Sequence, residues 1–173
     1  MIGISIANSL GLSSAAAALD PAASAFISAA GITDATQISA INNLVVGMKS
    51  DGIWTKMKAI YPFVGGTATA HKWNLKDPRD LDAAFRLVFN GGWTHSSTGA
   101  TPNGTNGYAD TKFNANTNLT NGNFHLSFYS RTNSTSGLFS AEMLLLSTYM
   151  SSGWVNLRTN NKLSGTAGLS FGD

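Results

Sequence analysis

The groups of this chain able to move a proton or bind a metal are three histidines, a single glutamate and a few aspartates. His71, Asp77 and Asp80 share the stretch HKWNLKDPRDLD and invite a metal or acid–base reading. Their spacing matches no established ligand motif, and Pro78 turns the segment instead of letting a helix align them. Lys72, Lys76, Asp77, Arg79, Asp80 and Asp82 carry opposite signs, so the stretch reads as a solvated connection laced with ion pairs. A site made of histidine alone would require His71, His95 and His125 to converge, and nothing in the sequence argues for that. Glycoside hydrolysis needs two carboxylates facing one bond. Glu142 lies in an apolar run, and no Asp pair is singled out by spacing. No Gly-Lys-Ser/Thr phosphate loop, His-Glu-x-x-His or Gly-x-Ser-x-Gly occurs. The absence of cysteine removes thiol catalysis, thiolate zinc sites and disulfides together. The chain therefore reads as a non-enzyme, with no catalytic residues, no metal and no cofactor.

Ligand binding has a better footing. Trp93, His95 and Tyr108 lie near Asn103, Asn106 and Asp110 in a loop-rich region. Sugars are held by aromatic faces with amides and carboxylates beside them, so Trp93, His95, Tyr108 and Asp110 form a candidate glycan site. The competing reading makes Trp93 and Tyr108 core residues and gives the asparagines to turns. His125 falls on the polar side of its own segment, where exposed surface is the default.

The elements that must position these residues are strands. Large apolar residues recur at every second position in Phe85, Leu87 and Phe89, and again in Phe124, Leu126 and Phe128, with Arg86, His125, Ser127 and Tyr129 on the other side. Between them, Asn-Gly pairs at 103–104, 106–107 and 121–122 suit turns that need positive φ, the punctuation of an antiparallel β domain. Further on, the apolar run Leu138 to Met150 suits a buried strand, with helix as the competing reading, and is too short to span a bilayer as a helix. Trp154 to Thr159 alternates again, and Gly168 to Phe171 is a last candidate strand.

Upstream, Asp34 with Gln37 fits a capping box, and Ile38, Ile41, Leu44, Val45 and Met48 make a stripe at helical spacing that Gly52 can stop. Ile53, Met57 and Ile60 predict a second short helix ended by Pro62. Such helices cannot bury their stripe alone and must pack on the β domain or on a symmetry mate. The first residues place Ile2, Ile4 and Ile6 in alternation, a short strand that can dock on a neighbour's sheet or pair within its own domain. From Ser13 to Ala30 small residues dominate, with Phe26 and Ile27 the large apolar exceptions, and a segment buried between subunits is expected there. Ile2, Ile4, Ile6, Phe26 and Ile27 are thus the candidate assembly residues. The apolar start lacks the basic region of a signal peptide, and Asp20 and Pro21 interrupt it short of membrane-spanning length.

The phrases KMKAIYPFVGG, HKWNLKDP, NGGWTHSSTG and NGYADT, spread over about half of the chain, resemble the opening half of a laminin-G-like or concanavalin-like sandwich found in bacteriophage structural proteins such as fibres and spikes. The resemblance implies a mainly β protein, an antiparallel β-sandwich of jelly-roll or laminin-G-like type, preceded by a short helical N-terminal region. Three segments follow: 1–32 for docking, 33–62 helical and 63–173 the sandwich. Such a sandwich continues through more strands than this chain supplies, which predicts an incomplete sandwich that neighbouring copies complete, a homotrimer above all.

Composition fits that picture. Only 12% of the 173 residues are charged, against about a quarter in ordinary soluble domains, so Ser, Thr, Asn, Gly or other subunits must cover the surface. A net charge of +2 with no Lys/Arg run argues against nucleic acid as a partner. The expected role is a non-enzymatic virion component, a fibre, spike or decoration protein. Its partners would be other virion proteins (capsid, portal, collar or tail), its own copies and a host surface glycan. A carbohydrate-binding lectin-like module is the alternative, followed by a polysaccharide-degrading tailspike.

Overall fold

The computed structural model describes residues 18–119, 124–127, 129, 139–147, 150–159 and 167–172. Ile2, Ile4 and Ile6 lie outside the described residues, and with them the docking strand.

Helix α1 (Pro21–Ala30) starts at Asp20, whose carboxylate accepts the Ala22 N–H at 2.9 Å, and Pro21 fills the first helical position, where no N–H is needed. Gly31 ends it in the left-handed conformation, and the N–H groups of Gly31 and Ile32 bond back to Ser28 and Ile27. Helix α2 (Ala35–Ser50) starts at Asp34, which accepts the Gln37 N–H at 2.8 Å. The predicted capping box is half formed, because Gln37 spends its side-chain oxygen on the Gly65 N–H, 3.0 Å away. Two further bonds lash the helices together: the Asp20 N–H donates to Asn42, and Lys49 pairs with the Asp20 carboxylate at 2.7 Å.

Phe26, 1% exposed, is the largest side chain of the core, with Ile27, Ile32, Ile41, Val45 and Leu75 around it. Phe26 and Ile27, expected at an intersubunit surface, are instead buried within the chain. The small residues Ala23 and Ala30 let α1 pack against α2 and the segment that follows. The cluster draws on all three segments set out from the sequence, so the boundaries at 32/33 and 62/63 divide one packed core. Leu44 falls off the buried face and is 40% exposed, whereas Ile41 and Val45, one turn apart, carry it.

The predicted second helix shrinks to a 3-10 turn at Trp54–Lys56, after which Met57 is extended. Non-local partners take the backbone that a helix would have used. The Ile60 N–H donates to the Asn74 side chain at 2.9 Å, and the Ile60 carbonyl accepts from Leu75. Asn74 is itself 1% exposed; it also accepts the Lys76 N–H and donates to the carbonyls of Lys58 and Ala84. The stretch from His71 to Asp82 does carry the predicted ion pairs, Lys72 with Asp80 and Arg79 with Asp77. It is not wholly solvated, since His71, Asn74 and Leu75 are buried inside it.

The strands are antiparallel throughout. Strand β1 (Val88–Asn90) pairs with β4 (Tyr108–Asp110), and between them β2 (Trp93–Ser96) forms a hairpin with β3 (Gly99–Pro102). Strands β5 (Phe139–Ser147), β6 (Met150–Thr159) and β7 (Ala167–Gly172) form a meander in sequence order. Thus helices at the N-terminal side precede antiparallel strands, as expected, and strand wins over helix in the Leu144 to Leu146 run. Strand β1 is shorter than its alternation predicts, because Phe85 has φ 59° and closes a 3-10 turn. Residues 124–127 lie outside any strand, yet their burial still alternates, with Phe124 and Leu126 half-buried and His125 and Ser127 exposed.

Candidate functional site

The short helix α3 (Ala68–His71), capped by the Thr67 hydroxyl on the Ala70 N–H, delivers His71 at its end. Strand β2 alternates, so Trp93 and His95 share its half-buried face while Thr94 and Ser96 point outward. Where these two elements meet, Nδ1 of His71 lies 2.9 Å from Nδ1 of His95. Aromatic rings surround the pair. Phe89 of β1 sets its edge against His95 and Trp93, with centroids 4.7 and 5.2 Å away, and Trp93 stacks on His95 at 6.1 Å. Phe63 meets His71 edge-on at 5.5 Å.

This setting fixes the protonation of both rings. Burial, and secondarily the neighbouring His95, pushes His71 down to about 4, and burial also lowers His95. Both are neutral at pH 7, so one Nδ1 must donate and the other accept, which locks the two rings into complementary tautomers. Nε2 of His71 is buried without a hydrogen-bond partner among the described residues. Neither imidazole is hydrogen-bonded to a carboxylate, so the orienting partner of a base in a catalytic triad is missing from the described residues. The pair can share a proton along one axis.

The four candidate glycan residues divide. Trp93 and His95 come together in the cluster, and the Trp93 indole N–H is bonded to the Asn90 carbonyl at 3.0 Å. Tyr108 and Asp110 sit on β4. Tyr108 is 60% exposed, and so is not the core residue of the competing reading, and Asp110 is held by Lys112 at 2.7 Å. The asparagines serve the turn. Asn103 accepts the N–H groups of Thr105, Asn106 and Gly107, and Asn106 accepts the Gly92 N–H and an amide hydrogen of Asn103. Gly91 has φ +70°, and a Cβ there would overlap the Asn106 carbonyl. His71 is the member that sequence spacing misses, since its partner is 24 residues away and joins it only through the tertiary fold.

A shallow groove of about 280 Å³ runs beside the cluster between α3 and β1, with Phe89 and Leu87 in its lining and Lys72 and Arg86 among its polar groups. Both cations are engaged by Asp80. Among the described residues, no group of three or more His, Cys, Asp or Glu is placed to hold a metal ion, and no helix is long and apolar enough to cross a membrane. No protein-family model, curated protein or solved structure matches the chain.

Proposed function

We propose that this chain is a non-enzymatic structural component of a bacteriophage particle, a fibre, spike or decoration protein that works by assembling with its own copies and other virion proteins and by attachment to the host surface. The observation that carries this reading is the one-sided pairing of β1 to β4. Each of these short strands has a single neighbour among the described residues, and two-stranded ribbons of this length are marginal on their own in water. Their open edges call for further strands, and in the proposed assembly other copies of the chain supply them, completing a laminin-G-like sandwich over residues 63–173. The four phrases that resemble phage sandwich proteins support the same reading, as does a surface with few charges to repel a second copy.

Light scattering of the purified chain tests it. A particle mass at a multiple of the 18.1 kDa chain is expected, with a trimer favoured. A monodisperse monomer in which the backbone amides of β1 to β4 are uniformly protected from hydrogen exchange would overturn the assembly role.

A further inference from the structure

The cations of residues 18–119 fall into two groups. Lys49, Lys72, Arg79, Arg86 and Lys112 each pair with an aspartate. Lys56, Lys58 and Lys76 have no carboxylate within 4.0 Å among the described residues. All three belong to one locality, which the sequence disperses over 21 positions and the fold draws together. The Lys76 ammonium donates to the Trp54 carbonyl at 2.9 Å and lies over the Trp54 ring, 4.0 Å from its centroid. The Lys49 ammonium lies 5.6 Å from the same centroid. The Lys58 backbone is joined to this site through its carbonyl, which accepts from the Asn74 side chain that also accepts the Lys76 N–H. Lys56 and Lys58 are exposed on either side of half-buried, extended Met57, so both project outward from one short run.

We propose that Lys76 over the Trp54 ring, with the exposed Lys56 and Lys58 of the adjoining run, forms a binding site for an acidic polysaccharide carrying carboxylate groups. Lys76 is a partly buried charge whose partners are a carbonyl and an aromatic face, and the charge that acts on it is another cation, Lys49. Burial, and then Lys49, lowers its pKa. An anion at this place relieves both penalties and uses the two ammonium hydrogens that the Trp54 carbonyl leaves free. An acidic peptide fits less well. Peptides commonly add to a sheet edge through backbone bonds, whereas the N–H groups of Lys56 and Met57 are already bonded to Ile53 and Trp54. Sugar rings ask only for side-chain amines and for apolar surface, which Trp54 and Met57 supply. The proposal specifies the attachment half of the function above and rests on that reading.

Binding of the full chain to polygalacturonate, with dextran as the uncharged control, tests it at about 0.15 M salt, where exposed charges act over about 8 Å. Polygalacturonate should bind, dextran should not, and raised salt should weaken the complex. Lys56→Gln and Lys58→Gln with Lys76→Met, which keeps an apolar stem on Trp54, should lower the affinity about tenfold or more. Lys112→Gln, removing a cation paired elsewhere, should leave it unchanged. Should the triple variant fail to fold, the Lys56→Gln, Lys58→Gln double variant changes only exposed side chains and should still weaken binding severalfold. No binding, or equal binding by the variants, would overturn the site. Equal or tighter binding of polyglutamate or single-stranded DNA would overturn the saccharide assignment. Light scattering of the same samples separates the two proposals, because an intact oligomer that ignores polygalacturonate loses the site and keeps the assembly role.

Discussion

His71 and His95, brought from helix α3 and strand β2, share one proton between Nδ1 atoms 2.9 Å apart, and among the described residues neither ring is hydrogen-bonded to a carboxylate that would steady a positive charge. The folded chain therefore favours neutral imidazoles, whereas the unfolded chain titrates near the ordinary histidine value. Stability from this source is complete above about pH 6.5 and declines as the pH falls toward about 4, because the unfolded state binds protons that the folded state refuses. Thermal melts across that window should show a falling midpoint. His71→Phe should weaken that dependence, leaving only what burial of His95 contributes.

Asn74 should be among the most sensitive polar positions. Asn74→Ala removes the partners of two backbone N–H groups and two carbonyls in a buried place, and a loss of about 2–4 kcal/mol is expected in urea unfolding. Asn74→Asp should also destabilise, since a carboxylate cannot donate to the carbonyls of Lys58 and Ala84.

Phe26→Ala should cost about 3–5 kcal/mol, the range for emptying a packed aromatic site. Loss of stability with the oligomer mass unchanged would match the buried position of Phe26. Loss of oligomer with stability unchanged would restore it to an intersubunit surface.

At the turn, Gly91→Ala should destabilise by more than Gly104→Ala. Both residues have positive φ, so each substitution carries a backbone penalty of about 1–2 kcal/mol. A Cβ at Gly104 meets open space, whereas one at Gly91 meets the Asn106 backbone. Denaturation midpoints of the two variants check the difference.

Local signals in the sequence located what local physics decides. The Asp34 cap, the buried pair Ile41 and Val45, the three C-terminal strands and the turn role of Asn103 and Asn106 all follow from spacing and side-chain chemistry. What escaped is non-local. The helix expected at Ile53 to Ile60 loses its backbone partners to Asn74 and Leu75. Phe85 reads as strand by alternation but turns left-handed at the end of a 3-10 turn. His71 sits in a charged run whose neighbours gave no hint that its ring is buried against His95.

The residues of the main core cluster all fall between Ala23 and Leu75, ahead of the first strand. Every contact of that cluster can close before the strands are made, because none of its members lies beyond Leu75. During synthesis this half can therefore settle while the later strands are still emerging from the ribosome. Those strands then meet a finished platform, which shortens the interval in which their unpaired edges are open to wrong partners.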